Sequence, residues 1–268
     1  MRLIKLLFLT EKKWIILPPW DKTTVALYFP SMQTVFKLDE EIISKSSQSE
    51  IFSQDVEDKT YFIKRYFRSN NIGSWLGFSR FRTELRNQLW FNQQGISSAR
   101  VVAYGEQSFF LKTLKGVLIT EGVDSAQELA EIAKNAPEKF QDRQWLNAII
   151  SQLADITSRL HHARFCHNDL HWRNILVQQG EKSVEPKIFL IDCPSGKKFF
   201  GPLLSYRKLK DLANLDKLAA IYLTRSQRLR FFFEYRGIKK LSADDKKMIL
   251  GVLTHKASRV RRKAKSKK

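Results

Sequence analysis

The stretch FCHNDLHWRNILV, Phe165 to Val177, sets a polar run between two apolar ends, with an acid and an amide five residues apart at Asp169 and Asn174. A surface loop has that composition. So does the loop of a phosphoryl-transfer enzyme, in which one carboxylate faces an acceptor hydroxyl and one amide oxygen faces a metal ion. The flanking residues narrow the choice. Upstream, Trp145, Ile149, Leu153, Ile156 and Leu160 repeat at intervals of three and four, which places one apolar face on a helix of about five turns. Downstream, the apolar runs at 175–177 and 188–191 flank the polar turn QQGEKSVEPK and read as a hairpin, closed by Asp192 in FLIDCP.

The N-terminal part reads differently. Thr34, Phe36 and Leu38 alternate, Ile51 and Phe52 follow, and TYFIKRYF from Thr60 to Phe67 interleaves aromatic and β-branched residues with charges, as half-exposed antiparallel strands do. After a break at Ser69 to Gly77, the spacing of Phe81, Leu85 and Leu89 predicts a helix over Phe81 to Phe91, with Gly95 beyond its end. ARVVAYGE and VLITEG then read as two more strands. Three helical segments finish the chain, near Leu209 to Tyr222, Ser226 to Tyr235 and Ala243 to Val260. The expected organisation is an N-terminal lobe over 1–123, a helical lobe over 124–255, and a basic tail over 256–268 that reads as disordered.

Taken in order, the chain offers a lysine inside a strand (Lys64), a glutamate on the next helix (Glu84), a strand ending in ITEG, then His167, Asp169 and Asn174 in an H-x-D-x-x-x-x-N array, and Asp192 after an apolar strand. That order matches the kinase signature set. Phosphoryl transfer demands positioning and charge neutralisation more than covalent chemistry. Lys64 is therefore expected on the α- and β-phosphates of ATP, and Glu84 as its ion-pair partner. Asp169 would orient the acceptor hydroxyl and accept its proton. Asn174 and Asp192 would supply oxygen ligands to Mg²⁺, a hard cation. Backbone groups around Ile119 to Val123, those of Glu121 and Val123 in particular, would face adenine. The fold class expected is α+β, protein-kinase-like and two-lobed, with an N-terminal antiparallel sheet plus one helix and a mainly helical C-terminal lobe.

Composition limits the alternatives. The chain has 268 residues, 43% of them apolar, which suffices for a sizeable core. Its net charge of +20 attracts polyanions, whether nucleic acid, anionic membrane or phosphorylated substrate. Two cysteines, Cys166 and Cys193, are too few for a disulfide framework and fit a reducing cytoplasm. The start, MRLIKLLFLTEKKW, is basic then apolar, but Lys5 interrupts it and no small-residue cleavage site follows, so it reads as a folded segment. No apolar run is long enough to span a bilayer. His161, His162, Cys166, His167 and His171 offer a competing zinc reading, which lacks the CxxC and HExxH spacings of zinc sites.

With these residues in view, the chain resembles the lipopolysaccharide kinase family, the Kdo/WaaP and InaA-like group within the protein-kinase-like fold. The resemblance runs from about Gln33 to Tyr235 and rests on YFIKRY, ARVVAYGE with LITE, HNDLHWRNIL, FLIDCP, and KDLANLDKL followed by RLRFFFEY. It implies ATP and Mg²⁺ as cofactors, Asp169 as base, Asn174 and Asp192 as metal ligands, and Lys64 as phosphate lysine. It also implies that His167 and Asp211 support the catalytic loop. The implied acceptor is a sugar hydroxyl, heptose or Kdo, of the lipopolysaccharide inner core. The implied location is the cytoplasmic face of the inner membrane, where the basic tail RVRRKAKSKK would meet anionic lipid.

Three departures stand out. The segment from Ser44 to Lys59 contains no glycine, Asn168 takes the place of the usual arginine, and Cys193-Pro194 replaces Phe-Gly. Only eighteen residues separate Asp192 from Asp211, with no APE-like segment between them, which leaves little room for a peptide-docking activation segment. These omissions favour a glycolipid or small-molecule kinase over a regulated protein kinase. Two alternatives stay open: a small-molecule or protein kinase of the aminoglycoside-phosphotransferase type, and a nucleic-acid-binding protein with a kinase fold but no chemistry. No specific nucleic acid is expected as partner.

Overall fold

A computed structural model describes residues 10–68, 79–109, 112–179 and 185–265. The chain divides into two compact units, Met1–Asp124 and Ser125–Lys268.

In the first unit, β1 (Thr10–Ile16) leads to two short helices, α1 (Thr24–Tyr28) and α2 (Met32–Lys37). Strands β2 (Ile42–Lys45), β3 (Ser49–Val56) and β4 (Lys59–Phe67) follow, then helix α3 (Arg80–Gln93) and strands β5 (Val101–Phe109) and β6 (Lys112–Glu121). The six strands form one antiparallel sheet in the order β1-β5-β6-β4-β3-β2. Phe52, Ile63, Val102, Val117 and Ile119 point to one face and meet Val25, Phe29, Met32 and Val35 from the short helices. On the other face Tyr66, Val101 and Leu118 pack against Phe81, Leu85 and Leu89 of α3. Ser79 caps α3 by accepting the N–H of Arg82.

Residues Met32–Lys37, whose Thr34-Phe36-Leu38 alternation suggested a strand, form a helix instead. Ser31 caps it, accepting from the Thr34 N–H at 3.1 Å, and Met32 and Val35, three apart, reach the core. Its last carbonyls are satisfied by the buried Arg65 of β4, which donates from Nε to Val35 O at 3.1 Å and from Nη2 to Leu38 O at 2.5 Å. Tertiary packing thus overrides a short alternating pattern. The strand-like segment at Thr10 to Ile16 joins the sheet as β1. Its preceding residues, and the expected break at Ser69 to Gly77, lie outside the described residues.

The second unit contains β7 (Ala126–Glu128), α4 (Leu129–Asn135), α5 (Arg143–His162), β8 (Phe165–Cys166), β9 (Ile175–Gln178), β10 (Lys187–Leu190), β11 (Lys197–Lys198), α6 (Gly201–Tyr222), α7 (Arg225–Arg236) and α8 (Ala243–Lys265). Helix α5 is the apolar-faced one expected around Trp145 to Leu160. Asp142 caps it, accepting from the N–H groups of Gln144 and Trp145 at 2.9 and 3.1 Å. Leu146, Ile149, Ile150, Leu153 and Leu160 are buried, each contributing about 1.5–3 kcal/mol relative to exposure. Helix α7 starts in a capping box of Thr224 and Gln227 and ends at Gly237, whose φ of +64° suits the left-handed cap. Phe232 is buried with Tyr235, Ala154 and Leu212, so the aromatic run of α7 serves the core.

Strands β9 and β10 form the expected hairpin, with β7 added on the far side of β9. Helix α8 continues through Val260 to Lys265, and the last three residues lie outside the described ones. Nothing after Gly251 breaks it, since the remaining sequence holds neither Gly nor Pro and is rich in Lys, Arg and Ala.

Candidate active site

In the first unit, antiparallel pairing sets Lys64 of β4 opposite Ile51 of β3 and Leu118 of β6. A long side chain in mid-sheet can reach α3 across the sheet face. The Lys64 ammonium donates to both carboxylate oxygens of Glu84, at 2.8 and 3.1 Å. Glu84 is only 5% exposed, so its charge is compensated inside the protein by Lys64. The ammonium also lies 5.6 Å from the ring centre of Tyr66. A strand lysine and a helix glutamate twenty residues apart in sequence therefore form one pair.

At the end of β6, Glu121 is locked into the protein. Its N–H donates to Arg100 O at 2.9 Å, and its buried carboxylate pairs with Lys59 and Arg100. The next N–H, of Gly122, donates to Thr60 O at 2.8 Å, and a Cβ on Gly122 would lie 2.7 Å from that same oxygen. Glycine is needed for so close an approach to β4. The N–H of Val123 makes no hydrogen bond to another described residue, so it is the donor left for a ligand on this strand end, while Glu121 can offer only its carbonyl.

The glycine-free segment folds as β2, a tight turn and β3. The turn is closed by side chains: Ser46 Oγ accepts from the N–H groups of Gln48 and Ser49 at 3.3 and 3.1 Å. Where a glycine loop would leave amides open to phosphate, these amides are already engaged.

In the second unit, β8 delivers the chain into the loop from His167 to Asn174. The buried Asp211 of α6 accepts the N–H groups of His167 and Asn168 at 2.7 and 2.8 Å. Asn168 adopts φ +65°, a left-handed conformation that Asn tolerates better than most residues. Its amide donates to Ser195 O at 2.7 Å, and its oxygen accepts from Arg207 at 3.3 Å. The residue standing in for an arginine thus ties the loop to the segment after Asp192 and to α6. His167 is wholly buried, and burial pushes its pKa down, so it stays neutral.

Asp169 is surrounded by donors. Arg173 donates to Oδ2 at 2.9 Å and Asn174 to the same oxygen at 3.1 Å, while His171 Nε2 lies 3.3 Å from Oδ1. Partial burial pushes the carboxyl up, but Arg173, with help from His171 and Asn174, outweighs it and holds Asp169 below the usual carboxylate range. It is a carboxylate that stays ionised at neutral pH. Neither Arg173 nor His171 was singled out as its partner from the sequence. The i,i+4 spacing of Asp169 and Arg173 on one loop was the available signal.

Asn174 also donates to the Asp169 carbonyl at 2.8 Å, which directs its amide oxygen away from the loop. The hairpin then sets Asn174 and Asp192 at one end of its ladder: Ile175 pairs with Leu190, and Ile191 N–H donates to Asn174 O at 3.0 Å, so Asp192 follows one residue beyond Asn174's partner. Asp192 has φ +56°, again left-handed. Two oxygen donors at one end of a two-stranded ladder suit a hard cation such as Mg²⁺. A third carboxylate escaped the sequence reading. Burial pushes the Glu128 carboxyl up, with Glu131 and Asp192 adding and Arg173 opposing, so Glu128 shares the electrostatic surroundings of Asp192.

The zinc reading finds one cluster among the described residues, whose groups are engaged within the protein. His161, Cys166 and Asp211 have ligand atoms within 4.8 Å of one another. Yet the Asp211 oxygens already accept two backbone N–H groups, and burial, with Asp211 adding, pushes the Cys166 thiol up to about 12. His161 instead bonds Tyr235 Oη through Nδ1 at 2.8 Å, an internal brace between α5 and α7.

Comparison with known proteins bears on the family and the fold. Residues 40–235 match the lipopolysaccharide kinase (Kdo/WaaP) family. A 3-deoxy-D-manno-octulosonic acid kinase of Actinobacillus succinogenes is 28% identical over 142 residues, covering 48% of this chain and 54% of that protein, so the match spans about half of the relative's length. A protein of the same name from Mannheimia succiniciproducens is 24% identical over 199 residues, covering 70% of this chain and 75% of that one. Among solved structures, WaaP in complex with acyl carrier protein superposes with a TM-score of 0.70 at 17% identity, covering 93% of this chain and 98% of that chain. The BubR1 kinase domain gives a TM-score of 0.50 at 14% identity, covering 81% and 79% of the two chains. The α+β protein-kinase-like fold is thereby shown, and with nearly three quarters of its length matched, the chain belongs to the lipopolysaccharide kinase (Kdo/WaaP) family.

Proposed function

We propose that the protein transfers the γ-phosphoryl group of ATP, with Mg²⁺, to a sugar hydroxyl of the lipopolysaccharide inner core. The observation that supports it most is the loop in which Asp169 is held ionised and oriented by Arg173, Asn174 and His171 while Asp211 fixes the backbone beneath. Asp169 orients the acceptor hydroxyl and takes its proton. Lys64, held by Glu84, binds the phosphates as a fixed cation, and the Val123 N–H with the Glu121 carbonyl addresses adenine. Asn174 and Asp192 would hold Mg²⁺, which when bound neutralises charge on the phosphate oxygens.

Kdo is favoured over heptose because both curated relatives carry the name of a Kdo kinase. The place of action is the anionic cytoplasmic face of the inner membrane. Among the described residues no helix is long and apolar enough to cross a membrane, so the contact proposed is peripheral. The test is phosphate incorporation from labelled ATP into purified core oligosaccharide carrying either Kdo or heptose as the only free acceptor, with aminoglycoside and peptide as controls. Incorporation into the Kdo acceptor that Asp169→Ala removes is expected. Transfer to the antibiotic or peptide alone would overturn it.

A further inference from the structure

Between Asp192 and Asp211 the chain carries five cations, Lys197, Lys198, Arg207, Lys208 and Lys210, and no acid. The same segment holds large apolar side chains in water: Phe200 is 64% exposed, and Leu203 and Tyr206 are each 49% exposed. Their spacing of three sets them along one flank at the start of α6. Cations surround them. Arg164 lies 5.4 Å from the ring centre of Phe200, and Arg207 lies 5.8 Å from that of Tyr206.

The patch is fixed to the catalytic loop. Strand β11 pairs with β8, Lys197 opposite Cys166 and Lys198 opposite Phe165, and the Phe199 N–H donates to Arg164 O at 2.9 Å. Phe199 is buried, while Gly201, at φ +55°, turns the chain from this strand into α6. Strand β8 runs directly into His167. Phe200 and its neighbours therefore sit one strand away from the loop that carries Asp169.

We propose that Phe200, Leu203 and Tyr206, with Arg164, Lys197 and Lys198 around them, dock on an anionic bilayer and set the catalytic loop at the interface. Aromatic and aliphatic side chains lodge at the headgroup boundary, and the cations extend to lipid phosphates. Two folded proteins need about 800 Å² from each partner for a stable interface, more than three apolar side chains supply. A peripheral membrane contact needs only such a small apolar set with basic residues around it. The inference rests on the acceptor being a glycolipid.

The test is co-sedimentation of the full chain with vesicles of phosphatidylethanolamine and phosphatidylglycerol, and with vesicles of phosphatidylcholine alone. Wild-type protein is expected to bind the anionic vesicles and not the neutral ones. The variant Phe200→Ser/Leu203→Ser/Tyr206→Ser is expected to lose at least tenfold in binding, with an unchanged melting curve and unchanged turnover on delipidated core oligosaccharide. Turnover on glycolipid embedded in vesicles falls with the binding. Should the triple variant unfold, Lys197→Glu/Lys198→Glu takes its place with the same expected loss. Undiminished vesicle binding by a folded variant overturns the proposal, as does equal binding of wild type to neutral vesicles. It is equally overturned if substitution changes only self-association or retention on an acidic carrier protein. Absence of turnover on any core oligosaccharide overturns the glycolipid reading instead, and leaves the vesicle result to stand by itself.

Discussion

The Asp211 carboxylate accepts the backbone N–H groups of both His167 and Asn168, at 2.7 and 2.8 Å, so one side chain of α6 fixes the main chain of the catalytic loop. Asp211→Ala leaves two buried donors without acceptors, at about 1–3 kcal/mol each. The expected result is a lowered melting temperature together with a large fall in turnover. Asp211→Asn keeps one acceptor oxygen and should lie between the two in both measurements. Unchanged thermal stability of Asp211→Ala in circular dichroism would contradict this role.

Lys64 and Glu84 support two separable effects. Removing Lys64 leaves a carboxylate buried without its charge partner, which costs about 3–5 kcal/mol. In the proposed role it also removes a cation from the nucleotide phosphates, with an expected loss of about 10²–10³-fold in kcat. Replacing both residues by apolar ones, Lys64→Met/Glu84→Leu, removes the unpaired charge. The double variant should regain melting temperature over Lys64→Met while turnover stays low. Recovery of turnover along with stability would mean that the pair serves only the fold.

How far the site could be read from sequence depends on whether local order carried it. The pair Lys64 and Glu84, the loop from His167 to Asn174, and Asp192 lie in elements whose period and order are plain in the chain. The helix at Met32–Lys37 was hidden because its capping of carbonyls comes from Arg65, distant in sequence. The donors around Asp169 were hidden for another reason. His171 and Arg173 are ordinary loop residues until backbone bonds to Asp211 set the loop's shape. Glu128 enters through the pairing of β7 with β9, a strand of three residues that leaves no periodic trace.

Two buried histidines make the second unit sensitive to acid. Burial lowers the pKa of both His161 and His167 in the folded protein, so each is neutral there, while the unfolded chain binds protons below about 6.5. The unfolded state then holds more protons than the folded one as pH falls through that value, and stability declines. Thermal melts are expected to be flat from pH 8 to about 7 and to fall below about 6.5. His161→Gln removes one of the two proton-binding groups and should flatten the decline, whatever its effect at neutral pH. An equally steep decline in that variant would assign the effect to other groups.

Arg173 controls the titration of Asp169. Burial alone would raise this carboxyl, and the 2.9 Å bond from Arg173 is the largest influence acting in the other direction. If Asp169 takes the acceptor's proton as proposed, turnover needs the ionised carboxylate, so kcat/KM should fall as pH drops through the pKa of Asp169 in the free enzyme. In wild-type protein that limb lies below the ordinary carboxylate range. Arg173→Ala removes the main opposing charge and should move the acid limb upward, toward the value of an unperturbed Asp. Arg173→Lys keeps a cation near Oδ2 without the planar fork, and its limb should lie between the two. The measurement is the pH profile of kcat/KM for the three proteins under identical salt, since the residues are partly exposed and the effect is screened. A fall in activity at all pH values with an unmoved acid limb would show that Arg173 binds substrate and does not tune Asp169.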